Sequence, residues 1–308
     1  MQHYWSLEGV QLQKSWLTIG SFDGVHLGHQ EIIRQLVGEA HSRGSLAVAL
    51  TFFPHPALVL GKRNEPYYLT TPQQRAEILG DSGVDVVITY PFELETAQLS
   101  AREFISLIHR HLQFEGLCVG HDFALGKNRE GNVEKLTRLG EEYGYQVKLI
   151  EPVTNGDMIV SSSRIRAKIL AGEIERAGQL LGRYYRIKGK VVPGDGRGKT
   201  IGIPTANLET WAEQAIPKSG VYAGRIKVRT QDYGAVINIG VRPTFELSEV
   251  LPRVEAHILD FQGEIYGEEI ALDFISRLRD ERRFENIESL VGQIQLDISR
   301  AKQLLAVY

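Results

Sequence analysis

Leu17-Thr18-Ile19-Gly20-Ser21-Phe22-Asp23-Gly24-Val25-His26-Leu27-Gly28-His29 decides how the first half of this chain folds. Apolar and β-branched residues open it, glycines stand at 20, 24 and 28, and Ile32, Ile33, Leu36, Val37 and Ala40 follow at helical spacing. A strand, a glycine-rich turn and an amphipathic helix in that order make the first step of a parallel α/β unit. Such a turn lies where unpaired backbone N–H groups and the helix dipole favour an anion. His26 and His29 are three apart on the entry turn, so both imidazoles can face one bound group and donate hydrogen bonds to charge that builds there. The same pair also fits a capped, solvated helix start or two metal ligands.

Outward from this stretch, the alternation of short β-rich runs with amphipathic segments continues to about Leu181. The strands expected are Leu17–Ile19, Leu46–Phe53, Val84–Tyr90, Gly116–Phe123 and Gln146–Pro152. Thr71-Pro72-Gln73-Gln74 and Ser100-Ala101-Arg102-Glu103 carry capping-box chemistry and mark two helix starts. After Gly182 strand-like runs follow one another directly: Tyr184–Val192, Val221–Arg229, Gly234–Gly240, Val254–Phe261 and Glu269–Phe274. That texture predicts an antiparallel sheet or barrel. A final helix puts Ile287, Leu290, Val291, Ile294, Ile298, Ala301 and Leu305 on one face, to pack against it. The expected domains are residues 1–182 and 183–308.

At 308 residues, two domains of ordinary size fit, each able to bury its own core. Lys and Arg number 35 against 38 Asp and Glu, a net charge of −3, so no bulk field draws the chain to nucleic acid or anionic lipid, and any phosphate must be held locally. The single cysteine, Cys118, excludes an internal disulfide and a cysteine-based zinc cluster. With no signal-peptide pattern at the start and no long apolar span, the expectation is a cytoplasmic protein acting on small molecules, with neither nucleic acid nor membrane as partner. Its oligomeric state leaves no mark in the sequence.

Two further segments have phosphate-binding chemistry. Ser161-Ser162-Ser163-Arg164-Ile165-Arg166 opens a helix, where hydroxyls, amides and guanidinium groups converge, although an ordinary serine cap with exposed arginines fits equally. Gly194-Asp195-Gly196-Arg197-Gly198-Lys199-Thr200 is one residue short of the Walker spacing and is followed by Pro204 where that motif needs a helix, which excludes a P-loop. Beyond it, Thr205 and Asn207 are two apart in extended chain and point the same way, as ligands to a hard cation or as a self-bonded turn. Glu255, with His257 two residues on, is a carboxylate able to accept a hydroxyl proton or to pair with a surface cation across strands.

The first two motifs resemble the adenylyltransferase half of bacterial bifunctional riboflavin kinase/FAD synthetases, matched at Gly20, Phe22, Asp23, Gly24, His26, Gly28 and His29 and at Ser162, Ser163 and Arg166. Thr51–Pro56 and Gly120–Gly126, with Asp122, are similar to segments that line the flavin and nucleotide sites; Phe53 and Leu125 depart from that pattern. Gly198, Gly202, Pro204, Thr205, Ala206 and Asn207 resemble the riboflavin kinase signature. Asn238–Phe245 resembles its flavin-side loop, and Val254–Phe261, Ile265–Gly267 and Arg279–Phe284 extend the similarity through the C-terminal half.

The fold this resemblance implies is α/β plus β: a Rossmann-like nucleotidyltransferase domain with a parallel sheet, then an antiparallel β-barrel riboflavin kinase domain with a terminal helix. It implies His26, His29, Arg166 and Glu255 as catalytic. It implies Gly20, Phe22, Asp23, Gly24, Gly28, Asp122, Ser162, Ser163, Gly198, Lys199, Gly202, Pro204, Asn238, Arg242 and Arg279 as ligand-binding, and Thr205 and Asn207 on Mg²⁺. ATP would be co-substrate, with riboflavin, FMN and FAD as substrate and products. The alternatives are a chain that keeps one activity, the kinase sooner than the other, a flavin-binding regulator without turnover, and another H-x-G-H transferase with an unrelated barrel.

Overall fold

The computed structural model describes residues 1–61, 67–156, 158–194, 196–241 and 252–306. They divide into two compact units, one holding the described residues of 1–65 and 70–162 and the other those of 66–69 and 163–308.

In the first unit β1 (Gln2–Tyr4), β2 (Ser15–Ile19), β3 (Leu46–Phe53), β4 (Val86–Pro91), β5 (Phe114–Gly120) and β6 (Gln146–Ile150) form one parallel sheet. Its order is β1-β4-β3-β2-β5-β6. The crossovers are α1 (Leu27–Ser42), the short α2 (Pro56–Val59), α3 (Pro72–Asp81), the short α4 (Leu94–Gln98), α5 (Ala101–Leu112) and α6 (Val133–Tyr143). Without the edge strand β1 this is the doubly wound order 3-2-1-4-5, which reverses between β2 and β5. Ligands of such sheets bind outside the carboxyl ends of the strands at that reversal.

Helices on both faces explain why every residue of β2 is buried. Leu17, Ile19, Val48, Leu50 and Leu117 pack towards Phe104, Ile108 and Leu136. Trp16, Ala47, Ala49 and Cys118 share the other core with Ile33, Leu36 and Leu79. Thr71 and Ser100 each form the expected capping box. Several strands differ from the sequence expectation, β2 and β4 by one or two residues at their ends. β1 is an addition; β5 stops at Gly120 because Phe123 N–H turns back to the Gly120 carbonyl (3.1 Å); and β6 ends at Ile150. A two-residue hairpin, β7 (Thr154–Asn155) and β8 (Met158–Ile159), then leads to α7 (Ser162–Leu170).

In the second unit α8 (Ile174–Leu181) precedes β9 (Tyr185–Val192), the single helical turn α9 (Arg197–Thr200), β10 (Ala206–Thr210), β11 (Gly220–Val228), β12 (Gln231–Val241), β13 (Pro252–Ile258) and β14 (Glu269–Arg279). The strands close into an antiparallel barrel ordered β10-β13-β12-β11-β14-β9. β10 was not among the expected strands. On β13, Val254, Ala256 and Ile258 are buried, while Glu255 and His257 alternate with them and lie half-buried on the outer face. α10 (Ile287–Leu305) covers that outside: Ala301, Ile298, Leu304 and Leu305 pack with Val221, Ala223, Val236 and Leu278. Ile287, placed on the packed face by its spacing, is exposed. Residues 67–69 belong to this unit too. The N–H groups of Tyr67 and Tyr68 donate to the Glu213 carbonyl, and Tyr68 is fully buried beside Trp211.

Candidate active sites

In the first unit, the loop after β2 is held in a conformation that its residues resist. Phe22 (φ +45°) and Val25 (φ +36°) are in the left-handed region, which costs a non-glycine residue about 1–3 kcal/mol. Surrounding hydrogen bonds fix it there. The Ser21 carbonyl accepts from Arg75 Nη1 (2.7 Å) and Thr51 Oγ1 (2.9 Å). Gly24 N–H donates to Thr70 Oγ1 (3.2 Å), and the buried Asp23 carboxylate accepts from Thr70 N–H (3.2 Å). Ser162 Oγ, at the start of α7, donates to the Asp23 carbonyl (2.8 Å), so the two phosphate motifs meet.

This loop delivers two stacked imidazoles. His26 caps α1, its Nδ1 accepting the His29 N–H (3.3 Å), which leaves Nε2 of the neutral ring to carry its proton. The rings of His26 and His29 stack at 3.7 Å and 17°, and the Phe22 ring meets His29 edge-on at 5.1 Å. Gly28 makes room for them: a Cβ there would lie 3.2 Å from the His26 ring. Gly20 leaves space for the Phe22 ring in the same way. After β5, Asp122 is exposed and its carbonyl accepts from Arg129 (2.9 Å). Leu125 is packed in the core, and Phe53 is half-buried. Ser163 is exposed on the first turn of α7. Arg166 lies in the second unit and is buried; its Nε donates to the Tyr67 carbonyl and its guanidinium lies 3.7 Å above the Tyr67 ring.

The second unit has a cavity of about 280 Å³ on the outer face of the barrel beside α10. Gly198, Thr205, Asn238, Glu255 and Arg279 line it. The barrel register explains part of that convergence: Asn207, Glu255 and Asn238 are direct partners across β10, β13 and β12, which sets the three in a row on one face. Asn207 is 7% exposed, and its Oδ1 is buried with no hydrogen-bond partner among the described residues. The glycine-rich loop closes over it so tightly that a Cβ on Gly194 would fall 2.0 Å from Asn207 Nδ2. An orphaned amide oxygen under such a loop suits a hard cation, which would offset the penalty of leaving it unbonded.

Gly202 (φ +75°) turns the chain towards Ile203, whose N–H donates to the Gly198 carbonyl (2.8 Å). Lys199 is exposed on α9. Glu255 Oε1 lies 3.2 Å from Arg253 Nε. Arg279 forms a forked pair with Asp297 of α10, Nη2 donating to Oδ2 (2.7 Å) and Nε to Oδ1 (3.1 Å). Arg242 lies outside the described residues. Sequence reasoning passed over three groups that matter here. Arg75 and Thr70 brace the first loop, and Asp297, an acid at helical spacing from Ile294 and Ala301, anchors the cavity's helical wall.

A family model described as FAD synthetase matches residues 9–164, and one described as riboflavin kinase matches residues 181–305. A protein of Bacillus subtilis named bifunctional riboflavin kinase/FMN adenylyltransferase is 38% identical over 291 residues, covering 94% of this chain and 92% of its own length. The chain belongs to the bifunctional riboflavin kinase/FMN adenylyltransferase family. The Listeria monocytogenes member is 37% identical over 282 residues, covering 91% of this chain and 89% of its own. A crystal structure from Streptococcus pneumoniae, described as a macrolide-efflux protein, superimposes with a TM-score of 0.88 at 30% identity and covers 97% of this chain and 98% of its own. That likeness carries the fold. Among the described residues of this family member, no helix is long and apolar enough to cross a membrane.

Proposed function

We propose the following division of labour for the two activities of this bifunctional riboflavin kinase and FMN adenylyltransferase. Residues 183–308 phosphorylate riboflavin. The ribityl 5′-oxygen bonds to the γ-phosphorus of ATP, the bond from that phosphorus to the bridging oxygen breaks, and ADP leaves. Glu255 accepts the hydroxyl proton as attack proceeds. Asn238, its neighbour in the row, orients the substrate, and Arg279, held by Asp297, fixes the cavity wall. Thr205 and Asn207 hold Mg²⁺, which when bound neutralises phosphate charge. The glycine-rich loop with Gly198, Lys199, Gly202 and Pro204 covers the phosphates.

Residues 1–182 then adenylylate the product. An FMN phosphate oxygen bonds to the α-phosphorus of a second ATP, and pyrophosphate departs; the substrate phosphate is itself the nucleophile. His26 and His29 donate hydrogen bonds to charge that builds on the α-phosphoryl oxygens. The backbone N–H groups of the Gly20–Gly28 loop, with Ser162, cradle the phosphates. Asp23 and Phe22 shape that loop, and Asp122 contacts the nucleotide. Lone, buried Cys118 and near-balanced charge support a cytoplasmic enzyme working on small molecules.

The observation that carries this reading is the row Asn207–Glu255–Asn238, which sets an amide oxygen with no partner among the described residues beside a carboxylate that lines the cavity together with Asn238. Its test is a pair of variants. His29→Ala should lower FAD formation from supplied FMN by about 10²–10³-fold and spare FMN formation, whereas Glu255→Gln should lower FMN formation by about 10²–10⁴-fold and spare adenylylation. Loss of both activities in either variant would contradict separate sites; FMN without FAD in the parent would remove the adenylyltransferase half.

A further inference from the structure

We infer that His257 is a positioning residue of the kinase site, acting through the Pro204 carbonyl to hold Thr205 and Asn207 against the strand that carries Glu255. This rests on the proposed role of Thr205 and Asn207 as cation ligands. The β10–β13 ladder runs Leu208↔Val254, Asn207↔Glu255, Ala206↔Ala256 and stops. Continued by one step, it would set Thr205 opposite His257. It ends short of Pro204, which has no N–H with which to extend it further. The Pro204 carbonyl is taken instead by a side chain, His257 Nδ1, at 2.8 Å.

Thr205 therefore sits between two holds. On one side the His257–Pro204 bond ties the chain to β13 just past the last ladder pair. On the other, Asn207 is locked between β9 and β13, paired with Val192 and Glu255. One step further out, Ile203 is tied to Gly198 by its N–H (2.8 Å). Thr205 and Glu255 line the same cavity as His257, and Glu255 and His257 share the outer face of β13 two residues apart. Cutting the bond to Pro204 leaves Thr205 held to β13 from one side only, through the ladder pairs of Ala206 and Asn207. A supporting bond behind metal ligands is commonly worth 10- to 100-fold in metal affinity.

The chemistry of the imidazole separates this role from proton transfer. Since Nδ1 meets a carbonyl oxygen, which only accepts, Nδ1 carries a proton and donates it. Asparagine places its Nδ2–H where His257 has Nδ1, whereas glutamine places its polar atoms where His257 has Nε2. His257→Ala should raise the Mg²⁺ concentration needed for half-maximal riboflavin phosphorylation by about tenfold. His257→Asn should restore it to within about threefold of the parent with an unchanged pH profile, and His257→Gln should not restore it. FAD formation from supplied FMN by the same preparations, together with their melting temperatures, monitors folding. The inference fails if His257→Ala stays within about twofold of the parent, if His257→Asn does no better than alanine, or if glutamine restores activity as well as asparagine. Thr205→Ala is run beside them. A shift in its Mg²⁺ dependence without one in His257→Ala overturns this inference alone, and no shift in Thr205→Ala overturns the cation assignment beneath it.

Discussion

Gly28→Ala separates stability from catalysis at the stacked histidines. Gly28 is the second residue of α1 and its backbone is helical, so alanine suits the helix better by about 0.5–1 kcal/mol. The added methyl, however, would lie 3.2 Å from two atoms of the His26 ring, a few tenths of an ångström inside ordinary contact. His26 cannot yield freely, because His29 stacks on it at 3.7 Å and its Nδ1 is tied to the His29 N–H. The ring must tilt, and a catalytic group displaced by about 1 Å can lose 10²-fold in rate, so a few tenths should cost about tenfold, or about 1.4 kcal/mol of barrier. The assay is FAD formed from supplied FMN and ATP, with FMN formation from riboflavin and a thermal melt on the same sample. The expected outcome is adenylylation down about tenfold, kinase activity unchanged and a melting temperature equal to or above the parent's. Adenylylation within about twofold of the parent would refute the claim that His26 is held to a working geometry.

Asn207→Ala should reduce riboflavin phosphorylation by about 10²-fold while leaving the melting temperature almost unchanged, since among the described residues Oδ1 has no partner to lose; denaturation and FMN assays check both. Arg75→Met removes a fully buried guanidinium that donates to Ser21, Thr51 and Phe52, and should lower stability by about 3 kcal/mol and adenylylation more than kinase activity, read by urea unfolding and the two product assays. Burial pushes the Cys118 thiol up to about 12, so iodoacetamide at pH 8 should leave it unmodified in the native protein and alkylate it in urea, as mass spectrometry would show. Because the folded state keeps a proton that the unfolded chain releases near pH 9, this thiol's contribution to stability should fall as pH rises from there towards 12, by about 1.4 kcal/mol per unit, a slope that Cys118→Ala should lack in urea titrations.

The long periodic elements were legible because their own chemistry specifies them. Leu46–Phe53 is a strand over the expected range, and Thr71 and Ser100 cap helices through local side-chain bonds that need no tertiary context. The two barrel features that escaped notice are set by partners distant in sequence. β10 is five residues long with Asn207 buried among its apolar positions, and it is a strand because Val192 and Glu255 flank it. Residues 67–69 have no period of their own and are placed by Glu213 and Gln214. At the sites, the histidine pair, Thr205, Asn207 and Glu255 were singled out by resemblance to family motifs, because spacing alone left a capped helix start, a self-bonded turn and a cross-strand ion pair open. It could not show that Asp23 faces Thr70 or that Arg166 meets Tyr67, since both orientations depend on residues some 47 and 99 positions away.

The most direct test of two self-sufficient sites is to mix the crippled variants. His29→Ala and Glu255→Gln are each incubated with riboflavin, ATP and Mg²⁺, alone and together, and FAD is measured by chromatography. Neither should make FAD alone, while the mixture should, because FMN released by the first is substrate for the second. A mixture that makes FMN but no FAD would contradict the account, since adenylylation would then require an intact kinase site in the same chain.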